Sequence, residues 1–241
     1  MTAIAAVGVG VPAHDEAEVI EAGLRSIVRA AWRARVPTHV VVVADACGDD
    51  TAERARRALA HARGIDGHVV EVDLRSAGAA RQVALDLALE RTGVAPAAAW
   101  LASTDADTLV DVSWVQTHLR WAATGADGIA GLVELDLTTI DVDLAERYRR
   151  SLVPVATGAG HPHVHGANLG VRGSCWRQVG GCGAEVVGED HELWRRLRAA
   201  GSRHEAVDDL RVRTSGRLVG RAPDGFSGYL RRLAADAAQP A

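Results

Sequence analysis

The chain has 241 residues, 48% of them hydrophobic, which is enough for the core of one α/β domain. Its formal net charge of -4 argues against general nucleic-acid binding, which needs a net basic surface. All 27 basic residues are arginine, so the sequence excludes mechanisms that depend on a phosphate-binding or Schiff-base lysine.

Cysteine usage and the lack of long apolar runs bear on location. Cys47, Cys175 and Cys182 form no C-x-x-C pair, and an odd number of cysteines without a framework favours a reducing compartment. The first eleven residues lack the basic segment of a signal peptide, and no run approaches the roughly 20 apolar residues of a transmembrane helix. We therefore expect a cytoplasmic protein.

The first half of the chain alternates predicted strands and helices. Apolar runs predict strands over residues 3–11, 39–44, 69–74 and 97–102. Helical spacing predicts helices over residues 15–34, 49–62 and 77–89. Asp15 is a candidate N-cap for the first helix, and Asp49 or Asp50 for the second. Such alternation predicts a parallel sheet with right-handed crossovers, in which ligands lie beyond the carboxyl ends of the strands.

The second half is less regular. A strand is predicted over residues 128–135, and helices over residues 112–123, 141–152 and 189–200. Gly201 is a good residue for ending the last helix. Residues 157–166 form a loop rich in Gly, His and Pro, and the Pro/Gly segment 222–225 favours mobility in the Arg-rich tail over residues 211–232.

Two carboxylates, Asp105 and Asp107, directly follow the fourth predicted strand. Carboxylates at i and i+2 can face one hard cation, and Mg²⁺ or Mn²⁺ usually takes one or two of them together with substrate phosphates. The alternative is a solvated turn or the N-cap of the next helix. The position at a strand end favours the metal site, since folds of this kind bind ligands there.

Three other acids are candidates for chemistry. Asp45 ends the valine-rich second strand, where a carboxylate can accept a hydrogen bond from a nucleobase or ribose. Glu189 and Asp190 open a predicted helix. They either stabilise the helix N-terminus through its dipole or supply a general base aimed into the cleft.

Histidines 161, 163 and 165 alternate along an extended segment, so their side chains share one face. A zinc site is conceivable there, but Pro162 and the missing fourth ligand argue against it. A polar rim that contacts a hydroxylated acceptor is favoured, with Gly166 and Asn168 following directly.

In chain order these segments resemble the family-2 glycosyltransferases of the GT-A fold. Residues 11–16 (V-P-A-H-D-E) resemble the family's V-P-x-[HY]-[ND]-E, and residues 42–51 (V-V-A-D-A-C-G-D-D-T) resemble V-V-D-D-G-S-T-D-D-T. Residues 78–81 (G-A-A-R) look like a shortened G-x-x-x-A-R, and residues 105–107 are the metal motif. The later matches are to G-x-N, V-G-G and G-E-D, at residues 166–168, 179–181 and 188–190. The ordered set spans about residues 7–201.

The resemblance implies a single GT-A domain over residues 1–241, with a Rossmann-like, mostly parallel sheet flanked by helices. Residues 1–110 would bind the nucleotide-sugar, residues 111–210 would form an irregular acceptor-side half, and residues 211–241 an Arg-rich tail. The implied reaction is transfer of one sugar from a UDP- or GDP-sugar to a small-molecule or lipid-like hydroxyl acceptor. It would depend on Mn²⁺ or Mg²⁺ and invert the anomeric configuration.

The resemblance also implies roles for individual residues. Asp107 would hold the metal that bridges the diphosphate, Asp105 would lie near the ribose, and Asp45 would contact the base. Asp190 would deprotonate the acceptor hydroxyl. The remaining substrate-binding positions carried over are Pro12, Ala13, Asp15, Arg81, His165, Gly166, Asn168 and Glu189.

The sequence departs from the family pattern in two respects. Ala44 replaces the first aspartate of the usual D-D pair, which puts base recognition in doubt. The Q-x-x-R-W motif of processive synthases is absent, which favours a single transfer over polymer synthesis. Residues 214–217 and 220–226 are candidates for a loop over the donor, without an assigned role.

Three other readings compete. Gly8-x-Gly10-x-x-Ala13 formally fits the G-x-G-x-x-A of an NAD(P)-binding oxidoreductase, although Pro12 interrupts the turn and Asp45 lies too far downstream. The second alternative is a GT-A nucleotidyltransferase, but this sequence lacks the glycine-rich opening and the downstream lysine that such an enzyme has. The third is a non-catalytic glycosyltransferase-like binding module, which would be favoured if Asp107 or Asp190 were missing, but both are present.

Overall fold

The structure, a computed structural model, describes residues 2–137, 140–152, 161, 163–182, 188–218 and 226–235. The strands in these ranges are β1 (Ala6–Ala13), β2 (Thr38–Asp45), β3 (Asp66–Val72), β4 (Ala99–Ser103), β5 (Thr108–Val110), β6 (Gly128–Leu135), β7 (Leu169–Arg172) and β8 (His204–Thr214). The helices are α1 (Ile20–Ala34), α2 (Thr51–Ala60), α3 (Ala77–Arg91), α4 (Trp114–Ala123), α5 (Val142–Ser151), α6 (Gly173–Val179), α7 (Glu189–Ala199) and α8 (Phe226–Ala235).

All eight described strands belong to one sheet in the order β3-β2-β1-β4-β7-β6-β8-β5. The first four are parallel to one another, joined by helical crossovers. β7 then runs antiparallel to both β4 and β6, β8 is parallel to β6, and β5 is antiparallel to β8. The antiparallel β7 carries the sheet from the first half of the chain into the second.

Two glycines inside β1 let α3 pack closely against the sheet. A Cβ at Gly8 would lie 3.0 Å from the Cβ of Ala88, and one at Gly10 would lie 2.7 Å from Leu85 Cδ2. Both glycines lie within the strand, whereas a dinucleotide-binding motif needs them in the turn after it. Their close packing therefore explains the G-x-G pattern and removes the main argument for an NAD(P)-binding oxidoreductase.

The second half is tied together by the fully buried side chain of Asn168. Its Nδ2 donates to the backbone carbonyl oxygens of Leu132 at 2.9 Å and Leu210 at 3.0 Å. Its Oδ1 accepts a hydrogen bond from Trp114 Nε1 at 3.0 Å. Gly131 leaves the space for this amide, because a Cβ there would lie 2.3 Å from Asn168 Nδ2. One side chain thus joins β6, β8 and α4.

Most of the predicted elements are confirmed to within a few residues, and the strand over residues 128–135 is confirmed in full. The prediction that Asp15 caps the first helix is wrong. That helix begins at Ile20 after Val19, and Asp15 lies in the preceding loop with a left-handed φ of 52°. Asp50 occupies the N-cap position of α2 without a capping hydrogen bond from its side chain, and Oδ1 of the preceding Asp49 accepts the backbone N–H of Thr51 at 2.9 Å.

The second half is more regular than predicted. Residues 211–214, assigned to a mobile tail, complete the partly buried strand β8, and residues 226–235 form α8. β5, β7, β8 and α6 were not predicted either. The Pro/Gly segment 222–225 and residues 157–160 of the predicted loop lie outside the described residues. In the parts of the chain that the structure describes, no helix is both long and apolar enough to cross a bilayer.

Candidate functional site

The candidate site lies at the carboxyl ends of the parallel strands, where Arg81 projects from α3 into a buried position. Its Nη1 donates to Ser103 Oγ at 2.7 Å and to the backbone carbonyl of Gly166 at 2.9 Å. Its Nη2 lies 3.0 Å from Asp105 Oδ1, and its Nε lies 3.2 Å from Glu189 Oε1. One guanidinium therefore joins the D-A-D segment after β4 to the G-E-D segment that opens α7.

The electrostatics of Arg81 explain how a charge is tolerated in this position. Burial alone would lower its pKa, but the neighbouring Asp105 and Glu189 carboxylates raise the pKa above its ordinary value. Gly166 is required beside it, because a Cβ there would lie 2.5 Å from the guanidinium carbon. The glycine of the G-A-N segment thus admits the arginine that holds the site together.

Asp107 is the second acid of the D-A-D segment, and it lies against a different arginine. Arg217, three residues past the end of β8, approaches Asp107 Oδ2 at 3.2 Å. The same guanidinium forms a two-pronged ion pair with the buried carboxylate of Glu16. Thr214 Oγ1 donates to Asp107 Oδ1 at 3.1 Å. β8, which the sequence did not predict, and the segment that follows it therefore supply two partners to the predicted metal ligand.

The donor set around Asp107 fits a hard divalent cation. Burial, reinforced by the charge of Asp105, raises the pKa of Asp107 to about 6, so a second positive charge at this point would be stabilising. Two carboxylates supply the oxygen ligands that Mg²⁺ and Mn²⁺ prefer, but they leave most of the coordination shell to other oxygens. A diphosphate and water would have to complete that shell.

Asp190 and Glu189 point in different directions from the start of α7, as their adjacent positions require. Glu189 is buried against Arg81, whereas Asp190 is half-buried. Asp190 Oδ2 accepts the backbone N–H of Gly166 at 2.9 Å, and its Oδ1 accepts that of His191 at 2.7 Å. Each carboxylate oxygen has two lone pairs, so each oxygen of Asp190 can still accept one more hydrogen bond. Asp190 is the better placed of the two acids to meet a hydroxyl.

The buried carboxylate of Asp45 organises the loop between β3 and α3. Its Oδ1 accepts the backbone N–H groups of Leu74 at 2.6 Å and Arg75 at 2.9 Å, and its Oδ2 accepts that of Ser76 at 2.9 Å. Most of its acceptor capacity is therefore used within the protein. Its predicted contact with a base stays a prediction.

The loops after β1, β2 and β3 share an uncommon backbone conformation. Asp15, Ala46 and Arg75 have φ values of 52°, 50° and 52°, in the left-handed region that non-glycine residues rarely adopt. Asp15 Oδ1 accepts the backbone N–H of Gly48 at 2.7 Å, which joins the first two loops. Such conformations persist where the surroundings hold them, and they concentrate at functional sites.

The other predicted contacts vary in exposure. Pro12 and Ala13 end the buried strand β1, so they can offer a ligand mainly their backbone. Asn168 is fully buried and its amide groups bond to protein, so its predicted acceptor contact would have to be indirect. Burial lowers the pKa of His165 to about 4, which keeps the ring neutral. The rings of His161, His163 and His165 stack with centroids 6.0 and 5.9 Å apart.

Sequence reasoning missed three members of the site, namely Glu16, Ser103 and Arg217. Glu16 ends the V-P-A-H-D-E segment and Ser103 ends β4, so both positions carried a signal that was not used. Arg217 lay in a segment without an assigned role, and its pairing with Glu16 spans 201 residues. No local pattern could indicate that contact.

Residues 5–237 match the family described as glycosyltransferase-like family 2, and the chain belongs to this family. This confirms the family that the ordered motifs resemble and makes the chain a member of a family of glycosyltransferases. A comparison with curated proteins found no significant match.

Solved structures with the same fold include glycosyltransferases. The mannosyltransferase PcManGT from Pyrobaculum calidifontis, in complex with GDP-Man and Mn²⁺, is 21% identical, with a TM-score of 0.68 over 92% of this chain and 59% of that one. S. aureus TarS in complex with UDP-GlcNAc is 14% identical, with a TM-score of 0.63 over 98% of this chain and 66% of that one. Glucosyl-3-phosphoglycerate synthase from M. tuberculosis is 17% identical, with a TM-score of 0.56 over 96% of this chain and 79% of that one.

Because the sequence identities are low, the similarity to these structures shows the fold alone. It confirms the predicted GT-A architecture. The chain spans 59% and 66% of the lengths of the first two structures.

Proposed function

We propose that the chain transfers one sugar from a nucleotide-diphosphate sugar to a hydroxyl acceptor, in a metal-dependent, inverting reaction. One observation carries the proposal: the buried Arg81 binds both Asp105 of the D-A-D segment and Glu189 of the G-E-D segment. Asp105, assigned to the donor, and Glu189, from the segment assigned to the acceptor, therefore both contact the guanidinium of Arg81. Membership of a glycosyltransferase family supports the reaction class.

The donor is proposed to be a UDP- or GDP-sugar. PcManGT was solved with GDP-Man and TarS with UDP-GlcNAc, so both nucleotides occur among proteins of this fold. Asp15 joins the loops at the carboxyl ends of β1 and β2, and Asp45 holds the loop after β3. The base would lie at this end of the sheet. Pro12 and Ala13 would offer backbone groups to the same end of the donor.

The metal is proposed to be Mn²⁺ or Mg²⁺, held by Asp107 with Asp105 beside it. When bound, the ion would offset the charge that develops on the departing nucleoside diphosphate. Arg81 keeps Asp105 in place, while Arg217 balances the charge of Asp107. Arginine must supply every basic side chain near the diphosphate, because the chain contains no lysine.

Asp190 is proposed as the general base. An acceptor hydroxyl is a poor nucleophile at neutral pH, so inversion needs a base within hydrogen-bond reach of it. The backbone N–H groups of Gly166 and His191 fix the orientation of the Asp190 carboxylate. His165 would contribute to the acceptor side as a neutral ring. The acceptor is proposed to be a small-molecule or lipid-like alcohol, and a cytoplasmic location stays a prediction.

Calorimetry with UDP and GDP, each with and without Mn²⁺, tests the proposal. Because the two carboxylates leave a metal shell incomplete, we expect nucleotide and Mn²⁺ to strengthen each other's binding by at least about tenfold. Asp107→Ala should abolish this coupling. Asp111→Asn, which changes an exposed acid four residues further on, is the matched control and should keep it.

Two results would count against the proposal. Wild-type protein that binds both nucleotides equally well with and without Mn²⁺ would contradict the metal assignment. Binding of NAD in place of UDP or GDP would instead support the oxidoreductase alternative.

A further inference from the structure

Three side chains of different chemical type meet where the loops after β1 and β2 touch. They are His14, Asp15 and Cys47, and one ligand atom from each lies within 4.8 Å of the other two. Within the described ranges, no other group of three His, Cys, Asp or Glu side chains comes together in this way. The D-A-D segment is not part of this group.

The orientation of the His14 ring leaves one nitrogen available to a cation. Its Nδ1 lies 2.6 Å from the backbone carbonyl oxygen of Asp45. Because a carbonyl oxygen only accepts hydrogen bonds, Nδ1 carries a proton, and in the neutral ring Nε2 then carries a lone pair. A backbone carbonyl behind the ring is the usual partner of a metal-binding histidine. Nε2 faces Asp15 Oδ2 at 3.8 Å.

Hydrogen bonds between the two loops hold the other ligands in place. Asp15 Oδ1 accepts the backbone N–H of Gly48 at 2.7 Å, and the backbone N–H of Asp15 points to Cys47 Sγ at 3.4 Å. Asp15 and Ala46 have left-handed φ values, and these backbone turns lie next to the ligands His14 and Cys47 in the chain. The three groups are therefore brought together before any ion binds.

We propose that His14 Nε2, Asp15 Oδ2 and Cys47 Sγ form a binding site for one divalent cation of the zinc class. Imidazole and thiolate ligands select borderline-soft ions, whereas Mg²⁺ and Mn²⁺ prefer oxygen. The site is thus chemically distinct from the one at Asp107, and its existence does not depend on the glycosyl-transfer proposal.

The geometry requires a small contraction. On a tetrahedral shell with zinc–ligand bonds of about 2.0–2.3 Å, ligand atoms lie roughly 3.3–3.8 Å apart. The ligand atoms lie within 4.8 Å of one another, so their separations have to close by no more than about 1 Å, which side-chain rotation can supply. Cys47 releases its thiol proton to solvent as the metal–sulfur bond forms. Three protein ligands leave a fourth position for water.

Titration with Co²⁺ tests the site, because a cobalt–thiolate bond gives a charge-transfer absorption that oxygen ligands alone do not. The protein is purified without a His tag and stripped with a chelator. We expect one Co²⁺ per chain with this absorption, and displacement by Zn²⁺. Cys47→Ala and His14→Ala should each weaken binding at least about tenfold. Cys175→Ala, His61→Ala and Asp107→Ala should keep the absorption.

Absence of the absorption at saturating Co²⁺, or an unchanged absorption in Cys47→Ala, would overturn the proposal. Alkylation of the wild-type protein is a second test, which does not depend on whether a variant folds. Cys47 is half-buried while Cys175 and Cys182 are buried, so peptide mapping follows Cys47 as the most accessible thiol. Zn²⁺ should slow its alkylation at least about tenfold and Mg²⁺ should not. Equal rates with and without Zn²⁺ would contradict the site.

Discussion

The strands β1 to β4 and the strands β5 to β8 belong to one sheet but are held together differently. In the first group, small residues such as Gly8 and Gly10 let α3 pack against parallel strands through apolar contacts. In the second group, the fully buried polar side chain of Asn168 connects β6 to β8 through hydrogen bonds to two backbone carbonyl oxygens. The difference shows that the second group depends on a few hydrogen bonds that must all be present, since an unsatisfied buried polar group is costly.

Arg81 is the point where the two groups meet. It starts on α3 among the parallel strands and reaches the carbonyl of Gly166 and the carboxylate of Glu189 in the second half. Both contacts are buried. Residues from both groups therefore meet at the site through this one side chain.

Replacing Arg81 should have the largest effect. Arg81→Met fills a similar volume but leaves the buried Glu189 carboxylate without its cation, which should lower the free energy of unfolding by about 3–5 kcal/mol. Arg91→Met is the matched control on the same helix, where the partner Asp66 is 41% exposed. It should cost less than about 1 kcal/mol. Urea unfolding of both variants measures the difference, and equal costs would mean that Arg81 does not couple the two groups.

The same contrast explains what the sequence could predict. Strands such as β2, with four consecutive valines, have a local pattern that identifies them, and their order implies the parallel sheet. β8 alternates charged and apolar residues among arginines, and its partners β6 and β5 lie far away in the chain. Its existence is decided by tertiary pairing. Arg217 was missed for the same reason.

The acidic residues of the site also include some that the sequence identified and one that it did not. Asp105 and Asp107 were found because a strand end is a recognisable position. Glu16 was not assigned a role, although it lies in a quoted motif, because its partner Arg217 is distant in sequence. Residues whose role depends on a distant partner can be found only from the fold.

Asp190→Asn should have the next largest effect, on catalysis. The amide keeps the shape of the side chain but cannot accept a proton, so sugar transfer should fall at least about 100-fold, the low end for general-base catalysis. Affinities for nucleotide and Mn²⁺ should change little, since Asp107 is unaltered. Measured rates of product formation together with calorimetry separate the two outcomes. The product should have inverted anomeric configuration.

Glu192→Gln, two residues further along α7, is the matched control and should leave the transfer rate essentially unchanged. Its carboxylate pairs with Arg195 and Arg196 near the surface, and neither arginine belongs to the site. A near wild-type rate for Asp190→Asn, or a retained configuration, would show that Asp190 only orders the helix terminus. The chain would then be better described as a binding module or as an enzyme with another base.

The smallest expected effect is the loss of folding stability at acid pH that the buried His118 causes. His118 is fully buried, Trp100 Nε1 donates to its Nδ1 at 3.1 Å, and burial lowers its pKa to about 3. The unfolded chain binds a proton below about pH 6.5, whereas the folded chain does not until about pH 3. Stability from this residue is therefore complete above pH 6.5 and is lost as the pH falls toward 3.

Between pH 7.5 and 5.0 this residue alone should cost the wild-type protein about 2 kcal/mol of unfolding free energy. His118→Gln can still accept the hydrogen bond from Trp100 and does not titrate, so its loss over the same interval should be smaller by that amount. The exposed His61→Gln should behave as the wild type does. Residues 2–103, all of them described, contain no fully buried histidine, and the hydrogen bond from Trp100 to His118 joins β4 of the first group to the helix α4. Urea unfolding at both pH values checks the prediction, and identical pH dependence in wild type and His118→Gln would show that other groups set the acid stability.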